Sequence, residues 1–240
     1  MGLAERRATC RALIRKYYAD VPGREEVLDQ VVSSLIEPGD VLLDAGCGST
    51  LALMNRYAAQ AAYAVGVDVV EVAEKPARNA AVALGDLGAI PVRDGTFDLI
   101  VSRSVVEHLD DPIGVFREMA RVLKPGGRFV FTTPNRWYYS SLVAAAVPYR
   151  VKDMFMKGVF GEDGYDHFPV RYRANTRPAI RRVSAAAGLA VERITALRHY
   201  PYYFVFSPTL FRLGMLYDWL VTGLRLDALQ STWVVVLRKA

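Results

Sequence analysis

Three carboxylates and two glycines sit where they could do chemistry. Asp44 closes the apolar run Val41-Leu42-Leu43 and stands two residues before Gly46-Cys47-Gly48. Asp68 closes a second apolar run 24 residues later, and Asp86 follows a third. Acids that end buried strands lie at the rim of an open parallel sheet, where such folds bind ligands. The glycines let backbone approach a ligand, and the N–H groups of a following helix attract an anionic group. His108, His167 and His199 are candidates for proton transfer, because imidazole titrates near neutrality. Cys10 and Cys47 are too few for a disulfide framework or a zinc cluster, so a reducing cytoplasm is the expected compartment. No set of His, Cys and acidic residues has ligand spacing, and no metal is expected.

Two details select the ligand. A dinucleotide site asks for G-x-G-x-x-G, but Leu51 holds the sixth position. Asp44 would also face a pyrophosphate badly, whereas it suits a ligand with an ammonium group. S-adenosylmethionine has that ammonium, a sulfonium and one carboxylate. Asp68, with Val69 after it, can take both ribose hydroxyls of an adenosine in a bidentate hydrogen bond. A nucleotide-binding oxidoreductase of the same topology is the rival that these two details oppose.

Composition bounds the rest. A chain of 240 residues, 52% hydrophobic and 23% charged, is globular and long enough for one domain with a sizeable core. Residues 1–20 are charged and helical in pattern, unlike a signal peptide. Charge is uneven: residues 1–135 carry 15 Lys+Arg against 18 Asp+Glu, and residues 136–240 carry 15 against 7. A net of +8 in the second half favours an anionic or phosphate-bearing partner.

These residues need elements to hold them. Helices are expected over 5–19 and 24–36, broken at Val21-Pro22-Gly23. Strands are expected at 41–44, 61–68, 80–84, 97–102, 128–133, 191–196 and 232–238. A helix capped by Ser49 or Thr50 follows the first strand to about residue 60. Another starts at Pro112 and stops at Lys124-Pro125-Gly126-Gly127, and a third is capped by Thr176 and stopped at Gly188. Between the last two strands lies Tyr200-Pro201-Tyr202-Tyr203-Phe204, then an apolar helix reaching Leu224. Arg212 and Asp218 interrupt it, so it does not span a membrane. It walls a pocket, pairs two subunits or lies on a membrane surface.

The run Asp44-Ala45-Gly46-Cys47-Gly48 resembles motif I of the class I S-adenosylmethionine-dependent methyltransferases, of the type 11 kind, with Thr50 in place of the usual third glycine. Val122-Leu123-Lys124-Pro125-Gly126-Gly127 before a β run is a second mark of that family, and the resemblance spans residues 41–135. It implies a doubly wound, Rossmann-like α/β sheet of seven strands, order 3-2-1-4-5-7-6, the last strand antiparallel. The implied single domain comprises N-terminal helices (1–37), a cofactor-binding core (38–135), a substrate-cap insertion (136–175) and a second insertion (197–231). It implies that Asp86 accepts from the adenine amino group, with the Leu87 backbone on the ring. Arg103 and Ser104, after the fourth strand, would border both cofactor and acceptor.

The same resemblance puts the acceptor against the insertion. Tyr138, Tyr165, His167 and Tyr172 would contact it together with Arg103, and His108 or His167 would serve as general base. The expected reaction is methyl transfer to a small or lipid-linked molecule, at a hydroxyl. N- or C-methylation in a natural-product or quinone pathway stays open, as does a non-catalytic partner that binds S-adenosylmethionine. Aromatics interleaved with arginine could also face nucleic acid, but no RNA-binding module accompanies them, and none is expected.

Overall fold

Val41 to Ala45 offers apolar side chains to both faces of a sheet, and it forms the buried central strand β1 (Val41–Ala45). The computed structural model describes residues 2–147, 154 and 168–240, leaving out the side chains of 144–146. Strands β2 (Tyr63–Asp68), β3 (Ala80–Leu84), β4 (Phe97–Arg103), β5 (Leu123–Pro134), β6 (Leu189–Leu197) and β7 (Thr232–Lys239) complete one sheet. Its order is β3-β2-β1-β4-β5-β7-β6, as expected. β1 pairs in parallel with β2 and β4, β2 with β3, and β4 with β5. The Asn135 N–H donates to the Ser231 carbonyl and the Ser231 N–H to that of Leu197. The start of β7 thus meets the ends of β5 and β6, so β7 runs against both.

Helices α1 (Leu3–Tyr17), α2 (Arg24–Ser33), α3 (Ala52–Ala58), α4 (Pro112–Val122), α5 (Tyr139–Ala146), α6 (Arg177–Ala186) and α7 (Pro208–Gly223) accompany the sheet. Asp111 caps α4 by accepting the Gly114 N–H at 3.0 Å, with Pro112 in the first turn. Its buried side seats Phe116 edge-on against Phe129 and Phe131 of β5, at 5.3 and 5.5 Å between ring centres. Thr176 caps α6 as expected.

Two local expectations are corrected. Neither Ser49 nor Thr50 caps α3: Leu51 does, in a left-handed conformation (φ +51°), because its side chain is fully buried there. Lys124-Pro125-Gly126-Gly127 ends a helix but does not lie outside the next strand. β5 begins at Leu123, already paired with Phe97, and the register shifts before Arg128 meets Leu99. The extra residues are taken up as a bulge, with Gly126 at φ +79°.

The chain divides into two compact units. The first comprises Met1–Arg24, Pro134–Val170 and Ala196–Thr232; the second comprises Glu25–Thr133, Arg171–Thr195 and Trp233–Ala240. In the first, the Tyr18 hydroxyl donates to Asp218 of α7 at 2.9 Å across 200 residues of sequence. Tyr138, Tyr139, Tyr217 and Phe204 pack there as an aromatic cluster. Most of the sheet lies in the second unit.

Candidate functional site

The second unit gathers the acids and glycines at the carboxyl ends of β1 to β4. Asp44 is 1% exposed, and neither carboxylate oxygen has a hydrogen-bond partner within the chain. Burial above all pushes its pKa up, to about 7, against the pull of the Met54 backbone N–H, which lies near it without a full hydrogen bond, and of Arg103. A buried carboxylate with nothing to bond is costly, and an ammonium group brought beside it would relieve that cost.

The turn after β1 is shaped by close backbone approach. Gly46 has φ +83°, its N–H donates to the Val67 carbonyl at 2.8 Å, and a Cβ there would lie 2.3 Å from Val105 Cγ2. Gly48 has φ +66°, and its N–H donates to Asp68 Oδ2 at 2.7 Å. The other Asp68 oxygen accepts from the Val70 N–H at 3.1 Å. Asp68 therefore ties the tip of β2 to the glycine turn of β1 and keeps lone pairs for further donors. Cys47 lies between the two acids: burial first, then Asp44 and Asp68, push its thiol up to about 12.

Asp86 is exposed after β3, with Oδ1 accepting the Gly88 N–H at 2.6 Å, and Leu87 beside it is buried. Val69 is exposed at the end of β2. Arg103 closes β4 and pairs with Glu25 of α2 at 2.9 Å. Ser104 follows at φ +59°, a conformation uncommon for a residue with a Cβ, and donates its N–H to Thr132. Such local strain often accompanies functional turns. His108 ends the short 3-10 turn Val106–His108.

The sequence reading passed over a buried polar chain beside this turn. Glu107 is 5% exposed and accepts from Thr133 Oγ1 at 3.1 Å. Asn175 donates to the same Thr133 oxygen at 2.5 Å, and Trp233 Nε1 donates to the Asn175 carbonyl at 3.3 Å. The Glu107 carbonyl takes the N–H groups of Arg171 and Tyr172, which fixes Tyr172 at φ +52° in the same unit. Thr133 and Asn175 carry no spacing signal; only the fold unites them.

Of the other described residues singled out by the sequence for the site, two belong to the first unit. Tyr138 is buried there against Tyr139 and Tyr217. His199 is also there, Nδ1 at 2.8 Å from the Tyr200 carbonyl, its pKa lowered mainly by burial. Tyr165 and His167 fall outside the described residues.

Strand order, glycine turn and the acids at the ends of β1 and β2 are those that the resemblance to class I methyltransferases implied. Residues 43–131 match the family described as methyltransferase domain. The ubiquinone biosynthesis O-methyltransferase of Bordetella avium is 30% identical over 187 residues, covering 73% of this chain and 75% of that protein. The corresponding protein of Thiobacillus denitrificans is 30% identical over 173 residues, covering 68% and 70%. The crystal structure of geranyl diphosphate C-methyltransferase from Streptomyces coelicolor, in complex with Mg2+, geranyl diphosphate and S-adenosyl-L-homocysteine, shares the fold. Its TM-score is 0.58 at 16% identity, with 90% of this chain and 77% of that one covered. The chain belongs to the class I S-adenosylmethionine-dependent methyltransferases, and its cofactor is S-adenosylmethionine.

Proposed function

We propose that this methyltransferase acts at a hydroxyl group of a small or lipid-linked acceptor. The observation that carries this reading is the likeness to proteins named ubiquinone biosynthesis O-methyltransferase, over about three quarters of both chains in the first case. The bound cofactor supplies a methyl group already activated on a sulfonium. What the protein must add is alignment, exclusion of water and, for a hydroxyl, removal of a proton.

The residues divide as follows. Asp44 holds the cofactor ammonium, with Ala45 and the Gly46-Cys47-Gly48 turn framing the methionine end. Asp68 takes the ribose hydroxyls, with Val69 next to it, and Asp86 and Leu87 hold the adenine. Arg103, Ser104 and Tyr172 border the acceptor. His108 removes the acceptor proton, because it ends the 3-10 turn that follows β4, which the Glu107–Thr133 hydrogen bond braces.

The test is a transfer assay with phenolic acceptors carrying or lacking an isoprenoid tail. S-adenosylhomocysteine release and the methylated atom are both read by mass spectrometry. The O-methyl product is expected; methylation at nitrogen or carbon across the panel would overturn the reading. His108→Ala is expected to lower kcat by about 10²–10⁴ and to alter its pH profile. A variant with near-native kcat would show that proton removal lies elsewhere.

A further inference from the structure

Apolar surface and positive charge are both concentrated in one part of the chain. Among the described residues, every exposed large apolar side chain except Tyr63, Val69 and Leu84 belongs to the first unit. That unit carries 13 Lys+Arg against 8 Asp+Glu, whereas the second carries 17 of each, so the whole net charge of +5 resides in the first. This separation is not what a sheet needs to fold.

The apolar surface peaks on α7. Its inner side buries Phe211, Gly214, Asp218 and Val221. Leu213, Leu216, Trp219 and Leu220 project from the rest of the helix with 45–66% exposure, and Leu224 follows at 66%. A helix apolar on its outer as well as its inner face has a surface left to cover. Its sole carboxylate, Asp218, is buried against Tyr18, while Arg212 and Arg225 are exposed. α1, packed with α7 in the same unit, adds Arg6, Arg7, Arg11, Arg15 and Lys16 against Glu5 alone.

We propose that α7 is an interfacial helix that lies in the surface of an anionic lipid bilayer. Leucines entering the acyl boundary, a tryptophan at headgroup depth and flanking arginines on anionic headgroups are the chemistry of such binding. Charge decides against a second copy of the chain: a two-fold contact would set this net-positive unit against itself. None of the helices among the described residues is long and apolar enough to cross a membrane. α7 therefore rests on the bilayer. This inference goes beyond the methyl-transfer reading and holds whatever the acceptor is.

The test uses the full chain with vesicles of phosphatidylcholine mixed with phosphatidylglycerol, and with vesicles of phosphatidylcholine alone. Sedimentation is expected to show binding to the anionic vesicles that weakens at least about tenfold on the neutral ones and at high salt. Leu216→Ser with Trp219→Ser should weaken it by about tenfold or more, while S-adenosylmethionine binding, measured by calorimetry, confirms an intact fold. Arg11→Glu with Arg15→Glu should weaken binding to the anionic vesicles alone. Absence of binding to anionic vesicles at low salt overturns the proposal, as does binding that the α7 variants leave unchanged. A lipid-free dimer that those variants dissolve also overturns it.

Discussion

Asp44 is buried with neither carboxylate oxygen in a full hydrogen bond, and in its proposed role on the cofactor ammonium its raised pKa makes ligand binding depend on pH. Its folded pKa, about 7, lies above the ordinary 3.8, so the proton is retained at pH values where the unfolded chain has lost it. Without ligand, the stability that this group contributes is present below about 4 and is lost as pH rises through about 7. A cofactor ammonium needs the ionised form. Affinity for S-adenosylmethionine should therefore climb about tenfold per pH unit on approaching 7 from below. It should level off and then fall beyond about 8, where an α-amine loses its own proton. Calorimetry across that range checks the profile, and Asp44→Asn should remove the acid limb. Asp68 makes a different prediction, because its carboxylate shapes the turn as well as taking the ribose in the proposed role. Asp68→Ala should weaken cofactor binding by about 1.5–3 kcal/mol, and unchanged affinity would place the ribose elsewhere.

Elements, more than residues, explain why the crevice has its shape. Gly46 fills two requirements that no other residue meets: a left-handed φ and a wall of Val105 where a Cβ would go. Gly46→Ala should cost roughly 2–4 kcal/mol, from strain and overpacking together. Thermal unfolding with and without cofactor would register it, and an unaltered midpoint would contradict it. The pattern of apolar runs, glycines and acids made β1 to β4 legible as strands, since each announces itself locally, whereas their order came from the resemblance to the methyltransferase family. The bulge in β5 was not legible: Pro-Gly-Gly signals a stop, and only pairing with β4 shows that the strand has already begun at Leu123. The cap of α3 was hidden for a related reason, because burial of Leu51 overrides the hydroxyls before it. Of the site, the acids at strand ends could be read from spacing. The chain Glu107–Thr133–Asn175–Trp233 could not, since its members lie on four separate stretches and only tertiary packing unites them.

At the scale of the whole molecule, the division into two units separates charge from chemistry: the neutral unit holds the crevice acids, and the basic one holds the exposed apolar helix. It also separates the two cysteines. Cys10 lies in the first unit and Cys47 in the second, both buried, with both thiols made harder to ionise chiefly by that burial. Thiolate is the reactive form, so neither should be alkylated while its surroundings stay closed. Each cysteine is thus a native clock for the opening of its own unit, with no label to introduce. Timed alkylation followed by peptide mass spectrometry would read the two rates from one sample. Equal rates, both slowed by S-adenosylmethionine, would mean that the chain opens as one cooperative body. Slowing of Cys47 alone would mean that the ligand covers the glycine turn or holds its unit shut while the other breathes freely.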